Sequence, residues 1–229
     1  MAKIKYSMLV SDMRGKLNGS VLSRNTYGSY SRNKVTPVNP STTYQQNVRS
    51  QFTTLTQGWR ALTQVQRDSW ISAVNNFIRT NIFGDSQKLT GSALYISINR
   101  NLQAIGQSVL TSPPIPGSVF NLTTLSIAAD ASDNSLDLTF TAAIPAGTSV
   151  IVEATPPVSA GINFVKSQYR QIAVLTNSDT SPYDASAEYQ AKFGSVGSAG
   201  QKIFVRMRAV TNATGLTGTP LEASTIVVA

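Results

Sequence analysis

The 229-residue sequence predicts an α+β multidomain protein. An extended basic hairpin arm leads into a small three-helix domain, and a seven-stranded antiparallel β-sandwich follows. Three observations predict this. Apolar residues between positions 44 and 105 recur at helical spacing. After Pro113, Pro114 and Pro116 the apolar period drops to two. Before residue 41 there are glycines, turn residues and cations, but few large apolar side chains.

Residues 1–40 form the predicted arm. Residues 1–10 fit a first strand. After a turn near Asp12 and Gly15, segments 16–24 and 29–35 flank Asn25-Thr26-Tyr27-Gly28, a tetrapeptide suited to a hairpin turn. Alternation puts Tyr30, Arg32 and Lys34 on one face of the second arm. A hairpin this poor in apolar residues is marginal in water and needs a surface to lie on.

Residues 41–110 form the predicted helical domain. Tyr44, Val48, Phe52, Leu55, Trp59 and Leu62 make one stripe along a helix over 43–62, with Thr42 and Gln45 at capping-box spacing. Thr63 and Gln66 repeat that spacing before a second helix over 64–78, whose apolar face is Trp70, Val74, Phe77 and Ile78. A third helix begins after Thr90, presents Leu94, Tyr95, Ile98, Leu102 and Ile105, and stops at Gly106. Phe52, Trp59, Trp70 and Phe77 are the expected structural core. The alternative for the two tryptophans is that one anchors a partner.

Residues 111–118, TSPPIPGS, read as a stiff extended linker. Residues 119–229 form the predicted sandwich, with strands near 123–129, 136–140, 148–155, 169–175, 185–191, 203–210 and 222–228.

Composition excludes several chemistries. There is no cysteine and no histidine, so disulfides, thiol nucleophiles, histidine triads and the common zinc, copper and iron ligand sets are ruled out. No paired carboxylates with supporting residues appear, and Gly15, Gly19 and Gly28 match no phosphate loop. Asp130, Asp133 and Asp137 lack the spacing of a calcium loop and read as a turn before an exposed edge. The chain is expected to be no enzyme and to use no cofactor or metal. No run approaches the ~18 apolar residues of a membrane span, and no targeting segment is visible.

Charge is asymmetric. Residues 1–110 carry 13 Lys/Arg against 3 Asp/Glu; residues 111–229 carry 6 against 8. Arg24, Arg32, Lys34 and Arg49, interleaved with Tyr27 and Tyr30, are the candidate partner-binding residues. Three readings stay open for them: a solvated basic surface, contact with an acidic protein surface, or contact with a phosphate backbone.

Two resemblances add to this. Residues 203–210, IFVRMRAV, resemble the penultimate strand of fibronectin type III domains, within the broader immunoglobulin-like class. Residues 15–52 carry a glycine, the basic hairpin, N-P-x-T and Q-x-x-x-R-x-x-F. The pattern continues as W-x-x-L-T-x-x-Q-R-x-x-W at 59–70, N-I-F-G-D at 81–85 and L-T-G-x-x-L-Y at 89–95. This set resembles structural proteins of tailed bacteriophages and prophages, including crAss-like phages. The resemblance implies a virion component assembled in the host cytoplasm. An auxiliary capsid protein is the first expectation and a collar, head–tail ring or tail protein the second. Major capsid or connector subunits and further copies of the chain are the expected partners. A nucleic-acid-binding protein is the alternative of another class.

Overall fold

Asn25 and Gly28 close the predicted hairpin as their residue types suggest. A computed structural model, describing residues 2–25, 27–141 and 143–229, pairs them directly, with Gly28 at φ +101°. Thr26, inside the predicted turn, and Met1, at the head of the predicted first strand, lie outside the described residues. The strands are β1 (Ala2–Ile4), β2 (Gly15–Leu17), β3 (Ser20–Asn25) and β4 (Gly28–Asn33), in the antiparallel order β1-β4-β3-β2. The expected strand over 1–10 is therefore cut to three residues. The expected arm over 16–24 is two strands, because Asn18 takes a left-handed conformation (φ 48°) and turns the chain at Asn18-Gly19. A small ribbon, β5 (Arg79–Thr80) with β6 (Ser86–Gln87), completes this region.

The chain divides into two compact units, one comprising Met1–Ser50 with Ile78–Lys88 and the other Gln51–Phe77 with Leu89–Ala229. The proline-rich stretch 111–118 falls inside the second unit, together with helices α2 (Gln64–Ala73) and α3 (Gly91–Ala104) and the later strands. The amide of buried Asn99 accepts from the Leu110 N–H (2.7 Å) and donates to the Leu110 carbonyl (3.2 Å), and the Trp70 indole donates to the Thr111 carbonyl (2.9 Å). The Trp70 bond reaches the first residue of the predicted linker, while the Asn99 pair closes the end of the predicted helical segment.

The helices are α1 (Thr43–Ala61), α2 (Gln64–Ala73) and α3 (Gly91–Ala104). Thr63 and Gln66 form a complete capping box at the start of α2, and Thr90 caps α3 through the Ala93 N–H. The second helix is shorter than expected: a 3-10 turn, Val74–Asn76, replaces its end. Leu62, Trp70, Val74, Leu94, Tyr95 and Ile98 form the helical core, with Trp59 and Phe77 packed on its edge. Trp70 meets Tyr95 edge-on at 5.3 Å between ring centroids. Phe52 does not join this core. It is 56% exposed, whereas Leu55, one turn on, is 1% exposed.

The remaining strands are β7 (Leu125–Asp130), β8 (Ser135–Phe140), β9 (Thr148–Ala154), β10 (Val158–Ser159), β11 (Arg170–Leu175), β12 (Tyr183–Asp184), β13 (Gln201–Thr211) and β14 (Leu221–Ile226). They build two antiparallel sheets. One is ordered β12-β8-β7; the other is β10-β13-β9-β11 with β14 also on β13. Alternate residues of both sheets, among them Leu136, Leu138, Val150, Val152, Val205 and Met207, enter one buried cluster. The expected strand at 185–191 is instead a helix, α4 (Ser186–Phe193). Its Tyr189 is buried in the cluster and donates to the Thr155 carbonyl at 2.8 Å. One buried ring and one satisfied hydroxyl outweigh the period-two pattern there.

The sheets and helices share side-chain contacts within this unit. Gln171 donates to the Ala104 carbonyl (2.9 Å) and Asn101 to the Gly215 carbonyl (3.0 Å). Among the described residues no helix is long and apolar enough to cross a membrane.

Candidate functional site

The first unit holds ten Lys/Arg and two Asp/Glu; the second holds nine of each. The whole net charge of +8 therefore sits on Met1–Ser50 with Ile78–Lys88. Both of its carboxylates are engaged within the unit. Asp12 pairs with Arg14 at 2.8 Å and Asp85 with Lys5 at 3.1 Å. Hydrogen bonds from Asn81 and then Lys5 hold the Asp85 carboxyl below the usual carboxylate range. Among the described residues, no carboxylate lies within ion-pair distance of Lys16, Arg24, Arg32 or Lys34.

Strand register sorts the cations by face. Lys3 opposes Tyr30, Tyr30 opposes Ser23, Arg32 opposes Val21, and Val21 opposes Lys16. Directly opposed residues share a face, so Lys3, Lys16, Tyr30 and Arg32 line one side of the sheet. Arg24 opposes Ser29 and so belongs to the other side. There it borders a hollow of about 480 Å³ with Ile4, Met8 and Val10. Lys34 lies just past β4, its N–H donating to the Gly19 carbonyl at 2.8 Å. Arg49 is on α1 and donates to the Asn39 side chain at 2.8 Å. The Tyr27 carbonyl accepts from the Lys3 ammonium (2.8 Å) and from Gln87 (3.3 Å).

The predicted residues are thus not one ribbon. Tyr30 and Arg32 share a face as expected, Arg24 is on the reverse, and Lys34 and Arg49 lie off the strands. Lys3 and Lys16 were missed. Their signal was present in the spacing of the first 17 residues, but it becomes readable only when β1 and β2 are assigned to opposite edges of the sheet.

No described residue of this unit is buried. Met8 and Leu9 are fully exposed; Leu17, Val35, Val38 and Ile82 are largely so. The sheet has pairing and register but no core beneath either face.

No family model matches the chain, and no curated protein does. A solved structure similar to part of it is that of an Fn3-like protein from Clostridium thermocellum. The likeness covers 48% of this chain and 95% of that one, at 25% identity and a TM-score of 0.31.

Proposed function

We propose that this chain is a non-enzymatic structural protein of a tailed-phage virion, docking through its basic unit onto an acidic protein surface of the particle. One observation carries the docking: the unit that holds all the net charge has no buried described residue. A sheet without a core gains its apolar stabilisation from whatever it lies against. Unpaired cations steer it to a negative surface and set its register there. The exposed Met8 and Leu9 supply apolar contact that a phosphate backbone would not reward, which favours protein over nucleic acid. Phage origin rests on the sequence resemblance over residues 15–95.

In this reading the chain is an auxiliary capsid protein, with the capsid lattice or connector as partner. Its sheets form a fibronectin type III-like sandwich. Supporting that fold is the pairing order, with β12-β8-β7 on one sheet and β11-β9-β13-β14 on the other, both feeding one core.

The test is co-sedimentation with purified phage heads. The full chain is expected to travel with heads. A chain lacking residues 1–36, and the triple variant Lys3→Glu/Lys16→Glu/Arg32→Glu, are expected to stay behind. The residual binding of the triple variant should differ from that of the parent mainly at low salt. Unimpaired incorporation of the truncated chain removes the docking role. Binding to naked duplex DNA that weakens steeply with salt, without retention on emptied heads, replaces it with the nucleic-acid reading.

A further inference from the structure

The outer face of the larger sheet carries a site that the docking role does not use. Along β13, Ile203, Val205 and Met207 point into the core, so Phe204 and Arg206 stand on the opposite face. Residues 163–169 lie over that face and enclose a hollow of about 320 Å³. This is the lower end of the size range of small-molecule pockets.

The charges in the hollow are already spoken for. The Arg206 guanidinium stacks 4.4 Å from the centre of the Tyr169 ring and pairs with Glu153 at 2.6 Å and Glu222 at 3.7 Å. Lys202 sits 4.7 Å over the Phe204 ring and donates to the Asn163 side chain at 3.0 Å. An anionic ligand would have to compete with two carboxylates for Arg206. A cationic ligand would find a cation already placed on Phe204 and on Tyr169, with Lys166 also on the rim.

Those pairs leave the Phe164 face and Lys166 unused, and they leave spare hydrogen-bonding capacity on Glu222, held by Arg206 only at 3.7 Å, and on the Asn163 amide. Phe164 is 82% exposed at the rim of the hollow, so its ring offers an open apolar face. Glu222 is a surface-exposed acceptor bordering the same hollow, and Asn163 and Lys166 add polar groups. A flat ring flanked by hydrogen-bonding groups, with the local charges internally matched, suits an uncharged ligand that has one C–H face and several hydroxyls. We propose that this hollow is a carbohydrate subsite, taking one ring of an uncharged glycan against Phe164 with hydrogen bonds to Glu222, Asn163 and Lys166. The inference does not depend on the virion reading.

Saturation-transfer NMR on the full chain tests it. The probes are methyl glycosides of glucose, galactose, mannose and fucose, then N-acetylglucosamine, N-acetylgalactosamine, maltotriose and cellotriose. Each is used at about 10 mM, enough to populate a millimolar site. At least one sugar is expected to receive saturation, strongest at the C–H protons of one ring face. Phe164→Ala is expected to weaken that sugar about tenfold, and Glu222→Gln to weaken it several-fold, with the unfolding midpoint of Phe164→Ala unchanged. The proposal is overturned if no sugar binds, if binding survives Phe164→Ala, or if only tetramethylammonium or inorganic phosphate binds.

Discussion

Two side chains carry more of this structure than their size suggests. Asn99 is fully buried and satisfies both backbone groups of Leu110. Asn99→Ala orphans that N–H and carbonyl and is expected to cost about 2 kcal/mol, read from urea unfolding midpoints. A change within error would mean that Leu110 finds other partners. Tyr183 is the second. Its hydroxyl donates to Glu188 at 2.8 Å. Burial first, then that hydrogen bond and the charge of Glu188, push the phenol from 10.0 up to about 12. A raised pKa favours the protonated form in the fold. The contribution is therefore complete below pH 10.0 and is lost as pH rises toward about 12. Tyr183→Phe is expected to flatten that alkaline limb of the stability profile, because Phe has no proton to lose, and to cost about 1 kcal/mol at neutral pH for the lost hydrogen bond to Glu188. At this scale the sequence was partly legible. Trp70 is fully buried and Trp59 and Phe77 pack on the same core, as their helical spacing implied, while Asn99 gave no sign because a polar residue at a helical position ordinarily faces water.

The elements show where pattern and packing part company. Helix α1 carries one unbroken apolar stripe, yet only its second half is used: Tyr44, Val48 and Phe52 are exposed, while Leu55 is buried. Spacing tells which residues share a helix face but not how far along the helix a neighbour extends. Phe52→Ser is accordingly expected to change stability by less than about 0.5 kcal/mol, and Leu55→Ala to cost about 3 kcal/mol. Equal losses in a thermal melt would contradict this division. The Thr63–Gln66 capping box was read correctly because capping is local chemistry, and α3 starts just after Thr90 as expected. α4 was misread as a strand because an eight-residue helix holding one buried tyrosine presents too few turns to establish its period.

For the whole molecule, the consequential finding is that α2, α3 and the strands β7–β14 fall in one unit. Gly215 shows how tight their contact is. At φ +66°, a β-carbon there would lie 2.8 Å from the Ile98 carbonyl oxygen and 2.9 Å from the Leu102 side chain. The second unit is expected to unfold in a single transition, with helical and tertiary signals coincident. Gly215→Ala should shift both signals together by about 2 kcal/mol. Two separate transitions would restore the proline stretch as a true linker.

The sequence by itself determined the local and additive properties: hairpin turn, caps, the change of period after residue 116, the absence of histidine and cysteine, and the excess of positive charge. Composition and nearest-neighbour geometry suffice for these. Only the tertiary structure decided which strands pair, hence that Lys3 and Lys16 join Arg32 while Arg24 turns away. It alone confined the whole net charge to a unit with no buried described residue. Strand order and burial depend on contacts between residues far apart in the chain, and no periodicity along the chain encodes them.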